Sequence, residues 1–199
     1  MDTAVALAMF RETGALLEGH FQLTSGLHSN RYFQCAKVLQ HPAYCEKLCA
    51  DLVSRLDRMS IDAVVAPAMG GIVVAQELGR QLGKRSMFTE RKDGAMELRR
   101  GFAISPSERL LVCEDVITTG GSVGEVIGIV ERMQGIVAAV ACIVDRSGGR
   151  VHFPLAGGGP QLAVLHMDVE TWKPEECPLC AAGSPAVKPG SRGNYGAAR

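Results

Sequence analysis

The segment RLLVCEDVITTGGSVGEVI, residues 109–127, runs from apolar residues into two adjacent acids, then into hydroxyls and glycines. Glu114 and Asp115 offer carboxylate oxygens that accept hydrogen bonds from neighbouring hydroxyls. Thr118, Thr119 and Ser122 offer hydroxyl donors, and Gly120 and Gly121 let a ligand come close to the backbone. N–H groups exposed at a helix start, with the positive end of the helix dipole behind them, bind phosphate oxygens. Carboxylates repel phosphate, so the two halves of the segment must address different parts of one ligand. A sugar phosphate satisfies both, with vicinal hydroxyls over Glu114-Asp115 and a 5′-phosphate in the turn that follows. A second small-residue turn, at Met69-Gly70-Gly71, offers a place for another phosphate group.

Neither turn is a nucleoside-triphosphate loop, because GxxxxGK[ST] is absent and neither contains a lysine. No GxGxxG dinucleotide fingerprint is present either. Two glycines after a strand are often no more than a turn, and an acidic pair at a strand end is often a solvated edge. The discriminating feature is the ordered combination of strand, two acids, two threonines, two glycines and serine before a helix.

The elements that would position these residues follow a repeated pattern. IDAVVAPAMGG, RLLVCEDVITTGG and VAAVACIVDRSGG are apolar runs ending in small or charged residues, and the first two are each followed by a helical pattern. Nearly continuous apolar strands alternating with helices predict an α/β fold, with a central, mostly parallel sheet covered on both faces. Ligands of such sheets sit beyond the carboxyl ends of the strands. Residues 3–13 predict a short helix, and 43–59 an amphipathic one with Leu48, Leu52 and Leu56 at four-residue spacing. Between the helices, GHFQLTSGLHSNRYFQCAKVLQHP predicts short strands with a turn at Ser25-Gly26. RSMFTERKDGAMELRRGFAIS predicts strand, charged turn and strand. The organisation expected is one domain over 1–174, with a small N-terminal hood over roughly 1–42 and a core over 43–174. A Cys-, Pro- and Gly-rich tail follows at 175–199, its last dozen residues poorly ordered.

Composition narrows the class. The chain has 199 residues, 47% hydrophobic and 21% charged, as expected for a globular protein with a sizeable core. Its 21 basic and 21 acidic residues balance, which argues against a dedicated nucleic-acid surface. No apolar run is long enough to span a membrane, and the start MDTAVALAMFRETG lacks the basic, long-apolar form of a secretory signal. Seven cysteines, most of them scattered through strand and helix patterns, do not form a disulfide framework. A cytoplasmic protein is expected.

VCEDVITTGGS resembles the phosphoribosyl diphosphate signature of the type I phosphoribosyltransferases. Those enzymes displace pyrophosphate from carbon 1 of a ribose with a nitrogenous base, usually with Mg2+ held on the diphosphate. The resemblance implies that Glu114 and Asp115 bind the ribose hydroxyls. It gives the 5′-phosphate to Val116, Ile117, Thr118, Thr119, Gly120, Gly121 and Ser122, and pyrophosphate to the turn at Gly70 and Gly71. Three further segments resemble the orotate-using branch. FQLTSG with Ser29, Tyr32 and Phe33 resembles a hood whose aromatic side chains cover the pyrimidine. Glu90-Arg91-Lys92 resembles the start of a mobile catalytic loop, which makes Arg91 and Lys92 the catalytic candidates. Val144-Asp145-Arg146 resembles a strand end whose arginine binds the orotate carboxylate, a pairing that suits a bidentate guanidinium fork. The implied partners are phosphoribosyl diphosphate, orotate and a second copy of the chain, since the family's loop reaches the neighbouring subunit's site.

Two departures stand out. Thr24 replaces a lysine common in that hood, and DGAMELRRG replaces a longer loop with lysine and histidine. The short version reads as a hairpin turning at Asp93-Gly94, with Arg99 and Arg100 open to a solvated role. The alternatives are a phosphoribosyltransferase for a purine base, or a non-catalytic sensor of phosphoribosyl diphosphate. Cys177-Pro178-Leu179-Cys180 supplies half of a structural zinc site and no second CxxC exists, so no metal ligands are assigned. A full set would need ligands shared across a dimer.

Overall fold

The computed structural model describes residues 1–23, 25–56 and 59–189. Thr24 and the last ten residues, on which two of the expectations above fall, lie outside the described residues. In chain order the elements are α1 (Thr3–Glu12), β1 (Leu16–Gln22), β2 (His28–Phe33), α2 (Cys35–Leu39), α3 (Pro42–Arg55) and β3 (Ala63–Pro67). Then come α4 (Gly70–Leu82), β4 (Arg85–Lys92), β5 (Ala95–Leu98), β6 (Arg109–Ile117), α5 (Gly121–Arg132) and β7 (Ile136–Asp145). The chain ends with β8 (Gln161–His166), β9 (Thr171–Trp172) and α6 (Pro178–Ala181).

A six-stranded sheet in the order β5-β4-β3-β6-β7-β8 forms the core. All its pairings are parallel except β4 with β5. Alternate residues supply the two faces. Val64, Ala66, Leu111 and Cys113 pack with Leu48, Leu52, Val74 and Leu78 of α3 and α4. Val65, Leu110 and Val112 pack with Val123, Val126 and Val130 of α5. Burial on both faces explains why these strands read as unbroken apolar runs.

The chain leaves β3 for β4 on one side of the sheet, while β6 and β7 lie on the other. The crevice between the carboxyl ends of β3 and β6 is therefore a topological switch point, where open α/β sheets bind ligands. Both glycine-rich turns open there.

The hood is a three-stranded antiparallel sheet in the order β1-β2-β9. Its third strand arrives from the far end of the chain. Residues beyond β9 also return to the hood: Gln22 N–H donates to the Val187 carbonyl at 2.8 Å, and Val187 N–H donates to the His20 carbonyl at 2.9 Å. The β4–β5 hairpin turns at Asp93 (φ 51°) and Gly94 (φ 87°). Two successive left-handed residues are what a tight two-residue hairpin requires, and Asp-Gly suits them. No described helix is long and apolar enough to cross a membrane.

Candidate active site

Helices α4 and α5 both begin at the switch point, and neither has a side-chain cap hydrogen bond. Their first N–H groups lack intrahelical partners and are left to a ligand or water. Gly120, with φ 77°, turns the chain into α5, and a Cβ there would stand 2.6 Å from Val151 Cγ1. Only glycine fits this corner. At α4 the Ala68–Met69 peptide is cis and Gly70 opens the helix. A Cβ on Gly70 would fall 2.5 Å from Asp115 Cγ, so the first turn of α4 lies directly against that carboxylate.

The two acids part company at the end of β6. Asp115 faces α4 and lines a cavity of about 590 Å3 beneath the hood. Glu114 pairs along the ladder with Cys142, a member of the α5-side core, and does not line that cavity. Both are half-buried, and burial is the largest cause raising both carboxyl pKa values. With Asp115 adding its charge, Glu114 is pushed up to about 8, whereas hydrogen bonds from the Val116 and Asp115 N–H groups temper Asp115. At neutral pH the empty pair thus favours holding a proton, and a cationic ligand would relieve it.

Glu114 makes stability depend on pH. Between the ordinary carboxylate value near 4.3 and about 8, the folded chain keeps a proton that the unfolded chain has released. Stability conferred by this group is full at the low end of that window and falls as pH rises through it. Glu114→Gln is expected to remove roughly 2–4 kcal/mol of that decline. Urea unfolding of both proteins at the two ends of the window measures it. Parallel pH slopes would show that Glu114 ionises normally.

The cavity also receives Tyr32, Phe33, Val116, Thr118, Thr119 and Arg146. Adjacent strand residues face opposite ways, and the two aromatics divide accordingly. Phe33 is buried, with its ring 5.8 Å from Phe10 in an edge-on contact. Tyr32 is partly exposed, donates from its hydroxyl to Gln34 Oε1 at 3.0 Å and packs near Phe21.

Arg146 stands on the turn after β7. Its N–H donates to the Ile117 carbonyl at 2.8 Å, which ties this turn to the acidic strand. Its Nε is buried without a hydrogen-bond partner, and burial lowers its pKa while the nearby Tyr32 and Cys35 raise it. Asp145 shapes the turn. Burial pushes its carboxyl up, but hydrogen bonds from Ser147, His166 and Gly149 hold it below the usual range. Ser147 donates from Oγ at 2.6 Å and from N at 2.8 Å, and Gly149 N–H donates at 2.8 Å. A buried guanidinium edge without an acceptor, in a cavity wall, suits an anionic planar group.

Gly70, Gly71, Ile117, Gly120, Gly121 and Ser122 border the crevice without lining this cavity, as does Glu114. Arg91 and Lys92 are on the β4–β5 hairpin and do not line it either. Arg91 is paired with Glu125 of α5 at 2.5 Å, and Arg99 and Arg100 share Glu90 at 2.9 Å each. Lys92 has no ion pair among the described residues. Sequence reasoning missed Cys35, Ser147, Arg150 and Thr171, all of which line the cavity beside Ser25 of the FQLTSG segment. Of these only Arg150 had a signal, as the second arginine of DRSGGR.

Gly70→Ala tests the contact between the two turns. The methyl group must displace the Asp115 carboxylate. An expected ~10-fold or greater loss of kcat/KM corresponds to about 1.4 kcal/mol. Steady-state kinetics measures it, and an unchanged kcat/KM would separate the α4 start from the reacting ligand.

Comparison with known proteins gives the family. The phosphoribosyl transferase domain family matches residues 35–152, more than half of the chain. Orotate phosphoribosyltransferase of Heliobacterium modesticaldum is 58% identical over 195 residues, covering 96% of this chain and 100% of that relative. Orotate phosphoribosyltransferase of Desulforamulus reducens is 54% identical over 192 residues, covering 96% and 98%. The chain belongs to the orotate phosphoribosyltransferase family. It is thus a pentosyltransferase, and its fold agrees with that of the Mycobacterium tuberculosis orotate phosphoribosyltransferase crystallised with inorganic phosphate. That likeness has a TM-score of 0.65 at 22% identity and covers 82% of this chain and 94% of that one. Within the family fold, the matched region includes both glycine-rich turns, the acidic pair and Arg146.

Proposed function

We propose that the cavity under the hood, with the adjoining crevice at the ends of β3 and β6, holds phosphoribosyl diphosphate and orotate together, and that the enzyme joins them into orotidine 5′-phosphate, releasing pyrophosphate. The reaction belongs to pyrimidine nucleotide biosynthesis, in keeping with relatives more than half identical over nearly their full length. The observation that carries the acceptor assignment is the unpartnered Arg146 Nε in the cavity wall. A carboxylated pyrimidine supplies that edge with a charged, two-oxygen acceptor, which neutral purines lack.

The donor lies across the switch point. Val116 to Ser122 cradle the 5′-phosphate, Gly70 and Gly71 the pyrophosphate, and Asp115 with Glu114 the ribose between them. As the bond from carbon 1 to the pyrophosphate oxygen breaks, the ribose gains oxocarbenium character. The acidic pair, crowded and partly protonated when empty, is stabilised by that positive charge. Orotate N1 gives up its proton to water or to the departing pyrophosphate as its bond to carbon 1 forms, and the electron pair of the broken bond leaves with pyrophosphate. Mg2+ suits the same environment because a divalent cation near the pair relieves its repulsion; when bound, it neutralises charge on the diphosphate.

Tyr32 covers the pyrimidine and Phe33 backs it from the core. Lys92 and Arg91 meet the departing pyrophosphate, Arg91 after leaving Glu125. That exchange is inexpensive, since an exposed ion pair contributes about 1 kcal/mol or less. The active form is a homodimer in which the hairpin approaches the partner's site. Met69 is 82% exposed and Val73 of α4 45% exposed, which gives the partner an apolar surface beside that site. None of the seven cysteines is in a disulfide, which supports a cytoplasmic setting.

Pyrophosphate release from phosphoribosyl diphosphate and Mg2+, measured against a panel of bases, tests the acceptor. Release with orotate and none with adenine or hypoxanthine is expected. Release with a purine and not with orotate would overturn the assignment.

A further inference from the structure

The tail motif Cys177-Pro178-Leu179-Cys180 is not alone. The fold brings it, across 157 positions of sequence, onto two histidines of the hood. His20 and His28 are buried on β1 and β2, and Cys177 is buried at the start of α6. The ligand atoms of His20, His28, Cys177 and Cys180 all lie within 4.8 Å of one another. We propose that these four side chains form a structural Zn2+ site that fastens the C-terminal segment to the hood.

Ordinary hydrogen bonding does not account for the cluster. His20 Nε2 is approached by His28 Nδ1 at 2.8 Å, by Cys177 Sγ at 3.5 Å and by Cys180 Sγ at 3.7 Å. Cys180 Sγ also lies 3.2 Å from His28 Nδ1. One ring nitrogen has one proton or one lone pair, so it cannot satisfy three heteroatoms at once. A single cation at their centre satisfies all four. With Zn–S near 2.3 Å and Zn–N near 2.0–2.1 Å, a tetrahedron has ligand separations of about 3.3–3.8 Å. Four of the spacings run from 2.8 to 3.7 Å and no pair exceeds 4.8 Å, so side-chain shifts of about 0.5–1 Å bring the set to that figure.

The surroundings fit a closed structural site. His20 Nδ1 lies 2.8 Å from the Ser184 carbonyl, which fixes its proton on that nitrogen and leaves the Nε2 lone pair for a metal. A register shift in β1 between Glu18 and Phe21 sets His20 beside His28, with ring centroids 4.7 Å apart. Four protein ligands of this kind leave no open position for catalysis. Two thiolates and two imidazoles favour zinc over the oxygen-seeking Mg2+.

The site completes a device for holding the cavity wall. The same β2 strand pairs with β9, and Ser29 Oγ donates to the Glu170 carbonyl at 2.9 Å. Tyr32 and Thr171 of these two strands line the cavity. The sequence offered only the CxxC half, because the histidines are eight residues apart on two strands and have no motif spacing.

The test uses the full chain as purified. Metal analysis is expected to find about one zinc per chain. Replacement by Co2+ should give the intense visible bands of tetrahedral cobalt with a near-ultraviolet thiolate charge-transfer band. Cys180→Ser should lose the zinc, whereas Cys45→Ser, on α3, should keep it. The Co2+ spectrum of the unaltered protein decides the matter even if a variant fails to fold. No stoichiometric zinc and no thiolate band on adding Co2+ would overturn the proposal, as would a Cys180→Ser variant that retains zinc.

Discussion

Arg146→Met is expected to lower kcat/KM for orotate by about 10^2–10^3-fold while raising the melting temperature. Loss of a charge-assisted, two-pronged contact with a carboxylate costs on the order of 3–4 kcal/mol in a partly dry cavity. In the empty protein the same side chain is a liability. Its Nε is buried without an acceptor, and burial disfavours its charge. An unbranched apolar side chain removes that penalty, about 1–2 kcal/mol for an unsatisfied polar group. At this chain length the gain amounts to roughly 2–8 °C. Steady-state kinetics with orotate varied, together with calorimetry of the unliganded protein, measures both effects. The KM for phosphoribosyl diphosphate should change little. Unchanged turnover of orotate would remove Arg146 from the acceptor site, and a lower melting temperature would show its charge to be satisfied in the empty protein.

Asp115→Asn is expected to reduce kcat by about 10^2–10^3-fold with the fold intact, as loss of an electrostatic stabiliser of the transition state does. Asp115 lines the cavity and lies against the start of α4, between the two proposed phosphate cradles. The amide keeps the size and loses the charge that steadies a ribose with oxocarbenium character. Burial raises the Asp115 carboxyl pKa in the empty site, so the neutral amide should not destabilise the protein. The split between parameters is informative: kcat should fall far more than the KM for orotate rises. Near-normal turnover would exclude Asp115 from the reacting centre.

These two residues also show how far a sequence can be read. The α/β core was legible because strands buried on both faces, such as Leu110 to Cys113, have no alternative to an apolar run. The segment from Glu114 to Ser122 was legible because each residue type there has a local chemical reason. The hood was only half legible. Its strands β1 and β2 are local, but β9 has just two residues, Thr171 and Trp172, and no pattern can assign so short a strand to a distant sheet. The tail behaves likewise: the pairing of Val187 with β1 uses backbone groups that every residue carries, and the His20 and His28 side chains that meet Cys177 and Cys180 lie far off in sequence. The difference between Glu114 and Asp115 was hidden for another reason. Their identities are alike, and only the opposite faces of β6 place one in the cavity and the other on the α5 side. Ion pairs such as Arg91 with Glu125 join exposed residues of separate elements and leave no periodic trace.

The acceptor and the donor are claimed to meet in one cavity, and coupled product formation tests that claim most directly. The enzyme is incubated with Mg2+, phosphoribosyl diphosphate and orotate, and pyrophosphate and the pyrimidine product are quantified together. One pyrophosphate is expected for each orotate converted to its N1-ribosyl 5′-phosphate, and negligible pyrophosphate when orotate is omitted. Pyrophosphate release at the same rate without orotate, with the orotate recovered unchanged, would contradict it.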